Sequence, residues 1–381
     1  MPPRQLLYPL AVTLALLLTP IAAQSEDGVS THEVRLGMVN AQSGPASGLG
    51  IHMKAGVQAY FTRVNATGGV HGRTLNLIVK DDGYEPARSA AHTEELINSD
   101  NIFALLGYVG TPTSRAALPI AMRAEVPYLF PFTGAEFLRT PVKKWAFNVR
   151  ASYLDETETL VEHLTTDLGV SKIALLMQDD SFGESVKSGI SGALSKRNLS
   201  IHAEARINRN SLDVAGAVAT LKHAQPEAIA FVGTYRQLSA AIQAAKMAGI
   251  QARFVTVSFI GTEDFIAAAG PNGDGVYITQ VMPSPHDTSL AIVRQYLADV
   301  PPAEVGYTSL EGYINANVLV QALQAAGAEP TRSKLANVLK NLNADIAGFP
   351  VHFSPKRHQG STAVFLTRVE AGKALPVQTM R

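Results

Sequence analysis

The groups in this chain that could do chemistry sit in loops, and they are binding groups rather than catalytic ones. Cysteine is absent, so there is no thiolate nucleophile and no disulfide. No Gly-x-Ser-x-Gly elbow, Walker A loop or His-Glu-x-x-His run occurs. The 10 histidines are scattered without metal-ligand spacing. Asp81-Asp82 and Asp179-Asp180 lie at strand ends, where a cation could sit, but adjacent loop acids more commonly cap turns. The reading is therefore no metal, no cofactor and no enzyme.

Four loops carry the better signals. The apolar run Ile102–Leu106 leads into Gly107-Tyr108-Val109-Gly110-Thr111-Pro112-Thr113-Ser114. Thr111 suits a helix N-cap and Pro112 the first helical position. Free N–H groups and the hydroxyls of Thr111 and Thr113 would there face a small anion such as a carboxylate. In Pro131-Phe132-Thr133-Gly134-Ala135, Phe132 could stack on an apolar body and Gly134 would let backbone approach it closely. Asp180-Ser181-Phe182-Gly183 and Gly233-Thr234-Tyr235 hold matching places further on, each with an aromatic residue after a strand. Each loop alone also suits an ordinary turn or capped helix. Together they suit a cleft between two facing lobes, beyond the carboxyl ends of parallel strands.

The elements that must position these loops alternate. Strands are expected at Val34–Val39, Leu75–Lys80, Ile102–Leu106 and Pro127–Pro131, with helices near Ile51–Val64, Pro86–Asn98 and Pro112–Arg123 between them. Ser152 stands three residues before Asp155, a capping box opening a helix to Leu168. A second strand–helix alternation then runs to Phe254–Val257. Short apolar strands between amphipathic helices imply parallel sheets covered on both faces. The last third holds too few strands for a third sheet. Val351–Phe353 and Ala363–Val369 are expected to close as a pair, and the tail to return to lobe one and then lobe two. Crossings are expected near Asn148–Ala151, Val281–Pro285 and Ile346–Pro350, making a hinge. Lobe one would comprise residues 32–149 and 283–346, lobe two residues 150–282 and 347–381.

Residues 1–23 read as an export signal. One positive charge at Arg4 precedes the apolar run Leu10–Leu18, and Ile21-Ala22-Ala23 offers small residues for cleavage near Ala23. The run is bracketed by Pro9 and Pro20 and is shorter than the ~20 residues a membrane span needs. The remaining chain, about 358 residues, suits two lobes. With 32 basic and 32 acidic residues, nothing favours nucleic acid or an anionic membrane. The expected location is the periplasm.

With these residues in hand, the chain resembles the periplasmic binding proteins of branched-chain amino acid ABC transporters, the leucine/isoleucine/valine-binding type. The marks are Gln42-Ser43-Gly44-Pro45, Asn65-Ala66-Thr67-Gly68-Gly69-Val70-His71-Gly72, Asp81-Asp82, Asp180-Ser181-Phe182-Gly183, Gly273-Asp274-Gly275-Val276 and Leu310-Glu311-Gly312-Tyr313. The resemblance covers nearly the whole mature chain. It implies the type I periplasmic binding fold: two Rossmann-like α/β lobes with parallel sheets, joined by a hinge of several crossings. It also implies a monomer that binds a small molecule and delivers it to ABC permease subunits at the inner membrane.

Carried over residue by residue, the resemblance makes Ser43, Leu49, Thr111, Thr113, Phe132, Thr133, Gly134, Phe182, Thr234, Tyr235 and Ser258 the ligand-binding set. Thr111 would hold the ligand's carboxylate. Three positions depart from the pattern: Leu49 replaces an aromatic, Gly134 a hydroxyl residue, and Ser258 the acid that pairs with the ligand's ammonium. A desolvated ammonium needs a charged partner or several good acceptors. The resemblance implies a branched-chain or related apolar amino acid. The departures suit an aromatic or aliphatic carboxylate, or an amide, as well. A ligand sensor docking on a membrane receptor is the other role open to such a chain.

Overall fold

The computed structural model describes residues 26–381; the expected export signal lies outside the described residues. Among the described residues no helix is long and apolar enough to cross a membrane.

The first half builds one sheet. Strand β1 (Glu33–Asn40) leads through helix α1 (Ser47–Ala66) to β2 (Thr74–Asp81), then α2 (Pro86–Asn98), β3 (Ala104–Leu106), α3 (Thr111–Arg123), β4 (Tyr128–Leu129) and β5 (Ala146–Phe147). These strands form a five-stranded sheet in the order β2-β1-β3-β4-β5. Every pairing in it is parallel, with β1 and β2 in register from Glu33↔Thr74 to Asn40↔Asp81. Helix α1 ends where expected, at Gly68 and Gly69 with φ of 97° and 73°, a left-handed exit that suits glycine.

The chain then crosses and repeats the pattern. The box expected at Ser152 forms: its hydroxyl accepts from the Asp155 N–H, and the Asp155 carboxylate accepts from the Ser152 N–H. It opens α4 (Tyr153–Thr166), followed by β6 (Ile173–Gln178), α5 (Ser181–Ser195), β7 (Ala203–Ile207), α6 (Ala215–Ala224), β8 (Ala228–Val232), α7 (Tyr235–Met247), β9 (Arg253–Thr256), α8 (Thr262–Ala269) and β10 (Tyr277–Gln280). Strands β6 and β8 are buried at every residue, as strands covered on both faces must be.

The tail supplies α9 (Ala291–Asp299), α10 (Tyr307–Ala326), α11 (Arg332–Leu339), β11 (Asn343–Ile346), β12 (Phe349–His352), β13 (Phe365–Glu370) and β14 (Lys373–Val377). The closing pair expected from sequence does not form. Instead β12 pairs antiparallel with β11. Strand β13 inserts antiparallel between β10 and β14, completing a seven-stranded sheet in the order β14-β13-β10-β9-β8-β6-β7. The reason is two matching two-residue turns, Ala347-Gly348 (φ 46° and 104°) and Ala371-Gly372 (φ 48° and 72°). Two successive positive φ values make the tight hairpin turn. Alanine replaces the asparagine or aspartate that would have signalled it.

At the hinge the crossing strands are paired. The Asn148 N–H donates to the His358 carbonyl at 2.9 Å, and the N–H groups of Gly360 and Ser361 donate to the carbonyls of Asn148 and Val149 at 2.7 and 2.9 Å. Across the back of the first sheet, α1 and α10 touch backbone to backbone. A Cβ on Gly56 would lie 1.8 Å from the Ser309 carbonyl oxygen, and one on Gly312 2.4 Å from that of Met53. In an isolated helix Gly→Ala stabilises by about 1 kcal/mol. Here Gly56→Ala should instead destabilise by about 1–3 kcal/mol, because the helices must separate. Urea denaturation checks the sign, and an equally stable variant would refute the close crossing.

Candidate functional site

The carboxyl ends of the parallel strands in the two sheets face each other across a seam of aromatic rings. Lobe one contributes Tyr84, from the loop after β2, and Phe132, just past β4; lobe two contributes Phe182, in the first turn of α5, and Phe259, in a single turn after β9. Phe259 is central: its ring centroid lies 4.5 Å from Phe182, 5.5 Å from Phe132 and 6.1 Å from Tyr84. Tyr153 stands 5.5 Å from Phe182. All five rings are buried, at spacings where aromatic pairs attract beyond their area burial. Tyr84 is held at φ 64°, a conformation that a bulky residue adopts only under constraint. Gly110 makes room for it, since a Cβ there would sit 2.4 Å from the Tyr84 ring.

Beside the rings is a cluster of hydroxyls. Helix α3 begins at Thr111 with Gly110, at φ 108°, as its N-cap, so Thr111 is the first helical residue rather than the expected cap. This frees its side chain, and the Thr111 hydroxyl lies 2.7 Å from that of Thr133. The Thr133 hydroxyl reaches the Tyr153 phenol at 3.3 Å. Thr113 is not part of the set, because its hydroxyl donates to the Val109 carbonyl at 2.5 Å and the Gly110 carbonyl at 3.1 Å. Gly134 is required: a Cβ would lie 2.5 Å from the Tyr153 nitrogen and 2.6 Å from its ring. Tyr153 thus fills the space that a hydroxyl residue at 134 would use.

Ser258 does not leave its surroundings without an acid. Glu156, from α4, reaches it from behind. The Ser258 N–H donates to Glu156 Oε2 at 2.8 Å and the Ser258 hydroxyl to Oε1 at 3.0 Å, while Thr279 donates to Oε2 at 2.6 Å. Arg150 lies alongside: its Nη2 donates to the Ser258 hydroxyl and stands 3.7 Å from Glu156 Oε1. Its Nη1 is 3.7 Å from Oε1 of Glu311, on α10, and its guanidinium carbon sits 4.4 Å over the Phe132 ring. Arg150 is 1% exposed, yet Nε and Nη1 have no hydrogen-bond partner. Burial pushes the Glu156 carboxyl above its ordinary range, against the opposing pull of Arg150.

The other expected residues have structural duties. Ser43 is exposed, and its hydroxyl donates to Asp81 Oδ2 at 2.5 Å. Leu49 packs where a Cβ on Gly261 would come within 2.4 Å of it, a contact between the lobes. Thr234 caps α7 in a box with Gln237. The Tyr235 phenol accepts from the Gly48 N–H at 3.4 Å across the cleft. Asp81 accepts from the backbone of Gln42, Ser43 and Gly83, a turn cap. Among the described residues no cluster of acids and histidines could hold a metal.

Residues 33–374 match the family model described as periplasmic binding protein. The chain belongs to the periplasmic binding protein family. A leucine-, isoleucine-, valine-, threonine- and alanine-binding protein of Pseudomonas aeruginosa is 22% identical to it over 323 residues, 84% of this chain and 85% of that protein. The crystal structure of a possible leucine/isoleucine/valine-binding protein from Rhodopirellula baltica superposes with a TM-score of 0.85 at 34% identity, covering 93% of this chain and 98% of that one. A fatty acid ABC transporter substrate-binding protein from Thermomonospora curvata shares the fold at a TM-score of 0.85 and 22% identity, covering 94% of each chain. The α/β architecture is that of the type I periplasmic binding proteins.

The buried acids give this binding protein a pH signature. Burial raises Asp82, Glu263 and Glu311 each to about 7. Unfolded, they would titrate near 4. The native state therefore binds more protons between about pH 4.5 and 7, and stability falls as pH rises through that window. His52, raised by its hydrogen bond to Asp264, acts in the same direction; His358, lowered by burial, opposes. The melting temperature should be higher at about pH 5 than at about pH 8, and a scan showing the reverse would contradict the burial of these carboxyls.

Proposed function

We propose that this chain is the solute-binding component of an ABC importer, exported to the periplasm, where it closes its lobes over one small ligand without chemical turnover. The observation that carries this reading is the seam itself. Two sets of strand ends, where ligands of parallel α/β sheets bind, face each other across aromatic rings beside a hydroxyl cluster and a buried guanidinium. Such a site suits a ligand with an apolar body and one carboxylate. The names of the relatives favour an apolar amino acid such as leucine. The state of Glu156 favours a second reading, a carboxylate without an ammonium, because that carboxylate already accepts hydrogen bonds from Ser258 and Thr279. The working form is a monomer that hands its ligand to permease subunits.

Small-angle scattering of the mature protein should show compaction on ligand binding, with the ligand recovered unchanged. A catalysed change in a bound compound would defeat the reading. Thr111 stands at the polar end of the seam, where its hydroxyl can turn from Thr133 to a carboxylate. A hydrogen bond to a charged group contributes about 1.5–3 kcal/mol. Thr111→Ala should therefore weaken binding about tenfold or more with a circular-dichroism melt close to that of the parent. Unchanged affinity by calorimetry would place the carboxylate elsewhere.

A further inference from the structure

The cleft holds a cation with two unpartnered donors beside two buried carboxylates. Arg150 is fully enclosed, and its Nε and Nη1 lack hydrogen-bond partners. A buried guanidinium has five donors to place, and leaving them unmatched is unfavourable unless something else arrives to accept them. Its two neighbouring carboxylates do not fill that need. Glu156 is engaged on both oxygens by Ser258 and Thr279, and it approaches Arg150 only to 3.7 Å. Glu311 also stops at 3.7 Å and accepts no hydrogen bond from Nη1. Burial holds Glu311 near pH 7, so it compensates Arg150 incompletely at neutral pH. The Tyr153 phenol is close enough to feel the Arg150 charge, which opposes the rise that burial causes.

The wall beside Thr133 is closed by aromatic rings. Tyr153 lies against Gly134, allows no side chain there, and turns its ring towards Phe182. A second ring, Phe259, covers Phe132. The carboxylate nearest this wall, Glu156, already accepts from Ser258 and Thr279. The wall offers aromatic faces instead, and Arg150 lies flat against one of them, on Phe132.

We infer that the natural ligand is a monocarboxylate with an aromatic or branched aliphatic body and no α-ammonium, and that Nε and Nη1 of Arg150 are its charge partner. This deepens the solute-binding reading and rests on it. The hydroxyls of Thr111 and Tyr153 share the carboxylate with the guanidinium, and Glu311 competes with it.

The test is calorimetry on the mature chain with matched compounds: 4-methylpentanoate against leucine, 3-phenylpropanoate against phenylalanine, and 3-phenylpropanamide. At least one acid should bind, about tenfold or more tighter than its α-amino counterpart, and the amide should bind about tenfold or more weaker than its acid. Arg150→Gln should abolish acid binding. Because it strands two buried carboxyls it can also unfold the protein, so Glu311→Gln is the companion variant. It keeps Arg150, removes the competing carboxylate, and should tighten acid binding several-fold. Tighter binding of leucine or phenylalanine than of the deaminated acids overturns the inference. So does a folded Arg150→Gln protein with unchanged acid affinity, or a Glu311→Gln protein that binds the acid more weakly. If none of the five compounds binds while another solute compacts the protein, the ligand class is wrong and the solute-binding reading survives. If no solute compacts it, the solute-binding reading fails as well.

Discussion

Two guanidinium groups are buried where the chain passes between its lobes, and the form of the cleft follows from how differently they are satisfied. Arg139 uses all three nitrogens. Nε donates to Gln359 Oε1 at 3.0 Å, Nη1 to the Ala135 carbonyl at 3.0 Å, and Nη2 to the Arg150 carbonyl at 3.1 Å. It thereby fastens the loop after β4, the first crossing and the returning tail to one point. Burial lowers it to about 10, so it remains charged at neutral pH. Arg150, eleven residues on, is placed by that same fastening but receives no comparable set of acceptors. Buried charge is tolerated in proportion to the hydrogen bonds it makes, and by that measure one arginine belongs to the scaffold and the other to the cleft.

The hinge is correspondingly well defined. Asn148 and Val149 pair with His358, Gly360 and Ser361 through backbone hydrogen bonds of 2.7–2.9 Å. Asp155, already the reciprocal member of the α4 cap, also accepts from Gln359 Nε2 at 2.9 Å. Movement of one lobe against the other must therefore occur around this paired ribbon rather than by its dissolution. The contacts across the cleft outside that ribbon include the ring pairs of Phe259 with Phe132 and Tyr84, the Gly48–Tyr235 hydrogen bond, and the His52–Asp264 pair at 3.2 Å.

Much of this was legible in the sequence, and the exceptions have physical causes. The alternation of strands and helices, the capping box at Ser152 and the terminator at Gly68-Gly69 are local signals, and all appear as read. The tail was misread because Ala347 and Ala371 occupy left-handed turn positions usually marked by other residues. At the site, the loops bearing Thr111, Phe132 and Phe182 were identified from their place after strands. Tyr84, Arg150, Tyr153, Glu156 and Phe259 were not, because their roles depend on contacts between segments far apart in the chain. Ser258 is the instructive case. Read alone, it marks a missing carboxylate; in the fold, a carboxylate from position 156 is bonded to the serine.

The crossing of α1 and α10 has a mechanical consequence. Helices in contact through glycine backbones cannot slide or roll separately, so the pair behaves as one strut. Its inner ends touch lobe two, through His52 to Asp264 and through the Tyr307 N–H to Glu263 Oε2 at 3.1 Å. Its outer ends, about 30 Å away for helices of this length, are tied together by His71 to the Gln324 carbonyl and Arg73 to the Ala328 carbonyl. When the cleft opens, the strut must tilt or its inner contacts must break. If the strut tilts, its outer ends move with the cleft; if the inner contacts break, they stay with lobe one.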